Sequence, residues 1–111
     1  MLKRVAIGIS ILPLVFAGLA FAADRGAEFI DLQGRDFGSV QFTHLLHQIN
    51  LGDCEVCHKL YPMETDGIEE RVRAGALTRR QVMDNCMDCH RKTALAGKKS
   101  GSTSCRGCHS E

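Results

Sequence analysis

All six cysteines of the 111-residue sequence fall in three copies of one short pattern. The copies are Cys54-Glu55-Val56-Cys57-His58, Cys86-Met87-Asp88-Cys89-His90 and Cys105-Arg106-Gly107-Cys108-His109. C-x-x-C-H is the attachment site of a c-type haem. Two cysteines three apart lie on one helical turn, where they can form thioethers to the two vinyl groups of one porphyrin. The adjacent histidine can then swing beneath the ring and ligate its iron. Other chemistries fit less well. A cysteine pair at this spacing is also a zinc half-site or a redox dithiol, and six cysteines in an exported chain could form three disulfides. Yet every pair is followed by one of only five histidines, and zinc would leave one pair of the three unmatched. Three covalent haems account for all six cysteines.

The proximal iron ligands are then His58, His90 and His109, and three distal ligands are wanted. Two histidines remain, His44 and His47, in Phe42-Thr43-His44-Leu45-Leu46-His47. On a helix, residues three apart differ by roughly 60° in direction. They cannot hold one iron from opposite sides, but they can reach two neighbouring haems. The third haem has no histidine left. Methionine is the usual substitute and raises the potential. Met83 ranks first, on a turn opened by Thr78 just before the second motif. Met63, in a loop after Tyr61-Pro62, ranks second. Met87 lies inside the second motif, where its direction is set, and ranks last. An open iron, or a ligand from another molecule, is the remaining option.

Few elements are available to position these groups. Residues 1–22 begin with Lys3-Arg4, run apolar from Val5 and end Ala20-Phe21-Ala22. That is the layout of a cleaved secretory signal, so the mature domain is expected at 23–111, in the periplasm. Without the leader about 33 apolar residues remain in 89, six of them cysteine. So small and aromatic-poor a chain buries too little for a conventional core, which excludes a Rossmann domain, a barrel or any sizeable enzyme scaffold. The haems must supply the missing apolar surface. Residues 28–32 and 40–42 read as short strands around the turn residues Gly34-Arg35-Asp36 and Gly38-Ser39, a small hairpin. Thr43 is placed to cap a helix running to about Asn50. Thr78-Arg79-Arg80-Gln81 has capping-box spacing, which predicts a helical turn. Residues 98–104 read as a Gly/Ser/Lys loop.

Charge is divided along the chain. Residues 24–70 carry 3 basic and 10 acidic side chains, whereas 71–106 carry 9 basic and 2 acidic. The formal total of +1 argues against nucleic-acid binding. The basic half suggests a surface for acidic redox partners around the second and third haems.

The ordered combination resembles the triheme cytochrome c7 branch of the class III, cytochrome c3-type, multihaem cytochromes. Those proteins open with a two-stranded hairpin, continue with F-x-H-x-x-H and then carry three C-x-x-C-H sites. The counterparts here are residues 28–42, residues 42–47 and the three cysteine motifs. The resemblance implies a small, mostly irregular and α-helical fold with an N-terminal hairpin, compact around three covalent haems c. It implies that His44 ligates the haem of Cys54, Cys57 and His58, and that His47 ligates the haem of Cys86, Cys89 and His90. The family places another histidine four residues before the second motif, for the last haem. Here Val82 stands there, with Met83 beside it. Some members resemble this chain in using methionine for that haem. The run Leu60-Tyr61-Pro62-Met63 also resembles a segment of such members, which keeps Met63 in play.

The function expected is a soluble, monomeric, periplasmic electron carrier rather than an enzyme. Its partners would be periplasmic or membrane cytochromes and reductases, with no stable membrane insertion once the leader is removed. The haem at Cys105, Cys108 and His109 should have the highest potential. Two alternatives follow from the missing histidine. An open third haem could bind a small ligand or reduce a small oxyanion, or the chain could be a subunit of a larger cytochrome assembly.

Overall fold

The computed structural model describes residues 25–110. The leader expected over 1–22, and its cleavage point, lie outside the described residues. Strand β1 (Ile30–Leu32) pairs antiparallel with β2 (Val40–Phe42), with Ile30 opposite Phe42 and Leu32 opposite Val40. Ile30, Leu32, Val40 and Phe42 share the half-buried face, and Asp31 and Gln41 the exposed one, as a period of two requires. The strand starts later than its sequence suggests. Residues 28 and 29 bend, and the carbonyl of Glu28 accepts from Leu45 N at 3.1 Å, so this stretch serves the next helix rather than the sheet. A 3-10 turn, Arg35–Phe37, joins the strands between Gly34 and Gly38.

Helix α1 (His44–Leu51) follows β2 directly and stops at Gly52, whose φ of 66° lets its N–H reach the carbonyl of Gln48 at 3.0 Å. Thr43 occupies the N-cap position, but its side chain caps nothing. Its carbonyl and hydroxyl both face His47 Nδ1, at 2.8 and 3.5 Å. The short α2 (Glu55–His58) and α5 (Cys105–Cys108) are the helical turns of the first and third motifs.

Two helices go beyond the sequence expectation. The turn at Thr78 is the start of a 17-residue helix, α4 (Arg79–Leu95). Its capping box is complete, with Thr78 Oγ1 accepting from Gln81 N at 3.1 Å and Gln81 Oε1 from Thr78 N at 2.8 Å. No Gly or Pro interrupts it before Gly97, and Arg80 pairs with Asp84 one turn on. Helix α3 (Gly67–Arg73) was not anticipated. Its signal is charge order: Glu69 and Glu70 in the first turn and Arg71 and Arg73 in the last, which complements the helix dipole. Arg79 clamps α3 to α4 through a two-pronged bond to Glu69 at 2.8 and 3.0 Å, and also donates to the Gln33 carbonyl at 2.9 Å.

The polypeptide builds almost no core of its own. Among the described residues the only buried apolar side chains are Tyr61 and Leu77. Leu45, Leu46, Ile49, Leu51, Val56 and Leu60 are exposed, all of them on or beside α1 and the first motif. The last described residue returns to the hairpin, where Ser110 N donates to the Ser39 carbonyl at 2.9 Å.

Candidate haem-binding site

The hairpin delivers α1 beside the first two motifs. Imidazoles three residues apart on α1 each meet a different motif histidine. The His44 and His58 rings are 6.3 Å apart, centre to centre, and the His47 and His90 rings 6.2 Å apart. Imidazole–metal bonds of about 2.0 Å on opposite sides of one ion, with half a ring beyond each, put ring centres roughly 6 Å apart. The residues present therefore fit two iron sites, each held by two histidines. They also fit the porphyrins, because the exposed Leu45, Leu46, Ile49 and Leu51 of α1 and Val56 of α2 offer apolar surface that haem faces would cover. Among the described residues no group of three or more His, Cys, Asp or Glu gathers as a bare-metal cage.

All five histidines are oriented in the same way. Nδ1 of His44 faces the Ala27 carbonyl at 2.9 Å, His47 that of Thr43 at 2.8 Å, and His58 that of Tyr61 at 2.9 Å. Nδ1 of His90 faces the Ser102 carbonyl at 2.9 Å, and that of His109 the Gly38 carbonyl at 3.1 Å. A carbonyl can only accept, so each Nδ1 carries the proton and each Nε2 is left with its lone pair for a metal. All five histidines thus present the tautomer that a metal ligand needs.

His109 differs from the others in its surroundings. Its ring neighbour is Phe37, 6.2 Å away, and among the described residues no imidazole faces it. Asp36, Phe37, Gly38, Cys105, Arg106 and His109 line an open cavity of about 320 Å3. The hairpin turn forms one wall, and a Cβ at Gly34 would stand 2.7 Å from His109 Nδ1. Among the methionines, Met83 lies one turn after Arg79, on the stripe of α4 that also carries Cys86 and His90. Because Arg79 is bonded to Gln33, next to Gly34, the first turn of α4 reaches toward the His109 end of the hairpin. Met63 is 66% exposed in the loop before α3, against 37% for Met83.

The three motifs converge on α4. Burial first, and then the neighbouring Cys57, Cys108 and Cys89, push the Cys86 thiol up. Burial and Cys89 do the same to Cys57. Thioether formation abolishes these titrations but not the proximity they report: cysteines of the first and third motifs both lie near Cys86. Tyr61 stands in the same place. Its carbonyl holds His58, and its hydroxyl accepts from Asn85 Nδ2 at 3.0 Å, one residue before Cys86. Burial, reinforced by Cys86 and Cys57 and opposed by the Asn85 bond, pushes its hydroxyl up to about 12. Sequence reasoning missed Tyr61 as a structural link. Its being the single tyrosine, directly after a motif, was the available signal.

Two comparisons bear on this arrangement. Residues 40–110 match the family model described as cytochrome c7 and related cytochrome c. A protein named cytochrome c7, from Geobacter metallireducens, is 30% identical over 108 residues, which is 97% of this chain and 98% of that protein. The chain belongs to the cytochrome c7 family. Cytochromes c7 carry covalent c-type haems and transfer electrons, so haem c is the cofactor of this chain and electron transfer is its function. The family is periplasmic in general, and its members work with redox partners. Among the described residues no helix is long and apolar enough to cross a membrane. No solved structure matches the chain.

Proposed function

We propose that this cytochrome c7 is an exported, periplasmic electron carrier with three haems, two bis-histidine and one histidine/methionine. The first haem is bonded to Cys54 and Cys57 and ligated by His58 and His44. The second is bonded to Cys86 and Cys89 and ligated by His90 and His47. The third is bonded to Cys105 and Cys108 and ligated by His109, with Met83 as its sixth ligand. The observation that carries the reading is the pair of imidazole separations, 6.3 and 6.2 Å, between α1 and the first two motifs.

When bound, each haem supplies one reversible ferric/ferrous couple. The protein does the rest by holding and orienting. α1 ties two sites together through histidines one turn apart, so those two centres stay close and in a constant relation. Backbone carbonyls hold each imidazole in the ligating tautomer and raise its basicity, which favours ferric iron. Methionine at the third site has the opposite effect and raises the potential, so the third centre acts as an internal electron sink. Lys92, Lys98, Lys99 and Arg106 are exposed around the second and third motifs, outside the ion pairs of Arg79, Arg80 and Arg91. They give acidic redox partners a place to dock.

The test is the ferric spectrum and spin state of the purified holoprotein. Electron paramagnetic resonance and near-infrared magnetic circular dichroism should count three low-spin haems, two bis-histidine and one histidine/methionine. One high-spin haem in the resting protein would refute methionine ligation and favour the open-iron reading. Fewer than two bis-histidine haems would refute the role given to α1.

A further inference from the structure

The second haem's proximal imidazole is held differently from the first's. His58 bonds to a carbonyl three residues on, within its own turn. His90 bonds to Ser102, twelve residues on, in the loop that leads to the third motif. That loop presses flat against the ring. A Cβ at Gly101 would stand 2.5 Å from His90 Cε1, 2.9 Å from Nδ1 and 3.2 Å from Nε2. A methyl group this close to three ring atoms has no room. Gly101 has no left-handed φ, so the demand for glycine is steric rather than conformational.

The loop is itself pinned at its far end. Ser104 N donates to Ser102 Oγ at 3.1 Å, and the two hydroxyls lie 2.9 Å apart. Ser104 Oγ in turn accepts from Gly107 N at 3.2 Å and caps α5. Gly107 must also lack a side chain, because a Cβ there would collide with Ser102 Oγ. The segment is therefore trapped between the helical turn of the third motif and the ligand of the second.

We propose that Gly101 and Ser102 form a strap that positions His90 and sets the potential of the second haem. This rests on His90 being an axial ligand of that haem. The Ser102 carbonyl, by accepting from Nδ1, makes the imidazole a stronger base and stabilises ferric iron. A side chain at 101 pushes the strap off the ring, lengthens that hydrogen bond and weakens the donor. The second haem then becomes easier to reduce. Gly101 and Ser102 are positioning residues, since neither touches iron.

The experiment is a redox titration of the holoprotein in which haem methyl resonances report each centre separately. It compares wild type, Gly101→Ala and Thr103→Ala, the last an exposed neighbour with no side-chain hydrogen bond. In Gly101→Ala the ferrous-to-ferric ratio of the second haem at fixed potential should rise about tenfold, about 59 mV for one electron. The first haem and Thr103→Ala should not move. An unchanged second haem that remains bis-histidine overturns the strap alone. A second haem that is not bis-histidine in wild type overturns the ligation and the strap with it. If Gly101→Ala does not assemble, the reduced, diamagnetic wild type decides. Nuclear Overhauser contacts between the His90 ring and the Gly101 α-protons support the strap, and their absence overturns it.

Discussion

The two ends of the hairpin give the histidines beside them different surroundings. At one end α1 presents His44 and His47 to His58 and His90, and each distal imidazole is locked by a carbonyl, of Ala27 or of Thr43. At the other end His109 is also held by a carbonyl, of Gly38 at 3.1 Å, but it faces a cavity wall and a phenyl ring rather than a second imidazole. The difference shows what a helix can and cannot do. Eight residues of α1 give two histidines one turn apart, enough to serve two neighbouring centres. A third centre at His109 would lie outside the reach of that turn and would take its sixth ligand from elsewhere, which under the proposed ligation makes it the odd site in chemistry and in potential.

The largest test removes the clamp. His47→Ala should convert one of three haems from low-spin to high-spin and leave the third site unaltered, read by electron paramagnetic resonance. His44→Ala should do the same to a different haem. If either variant perturbed the third haem first, the two-ended description would be wrong. The next test acts on the other end. Met83→Ala should abolish the far-red sulfur-to-iron band and create one high-spin haem, while Met63→Ala leaves the spectrum as it was. The reverse result would move the sixth ligand to Met63.

A third test compares the ends directly. The haem at Cys105, Cys108 and His109 should titrate at the highest potential of the three, because axial ligation spans a range of about 0.8 V and methionine lies on its high side. A potential equal to the bis-histidine pair would erase the distinction. A smaller effect concerns the surface. Reduction rates with an acidic partner should fall as salt rises, and fall less in Lys98→Ala and Lys99→Ala, since exposed charges are screened over about 10 Å at 0.1 M salt. The smallest is structural. Thr78→Ala, which removes the capping box of α4, should cost about 1 kcal/mol in denaturant unfolding without moving any potential.

Much of this was legible in the residues. The hairpin, the Thr78 capping box and the 98–104 loop all follow from local turn and cap chemistry, and the structure contains them. Thr43 sits at the cap position, but its hydroxyl turns toward the His47 ring and leaves the first-turn N–H groups uncapped. The length of α4 was underread because a haem motif looks like a local signal, whereas its five residues simply continue a helix already under way. Helix α3 was missed because its cue lies in charge order rather than in an apolar stripe. Gly101 and Gly34 were passed over as loop glycines. Only the folded contacts show that each is required to be bare: a Cβ at Gly101 would meet the His90 ring, and one at Gly34 would collide with the Gly38 carbonyl and crowd His109.

The sequence by itself determined the cofactor, its number and the shortage of one histidine, because covalent attachment needs particular atoms at a particular spacing. A count of cysteines and histidines settles that without any coordinates. It could not say which carbonyl holds which imidazole, or that the His90 ring rests on the loop leading to the third motif. Those contacts join residues up to 71 apart, such as His109 and Gly38. They exist only once the hairpin, α4 and the tail are folded around one another, and no local pattern specifies a hydrogen bond to a backbone carbonyl that every residue possesses.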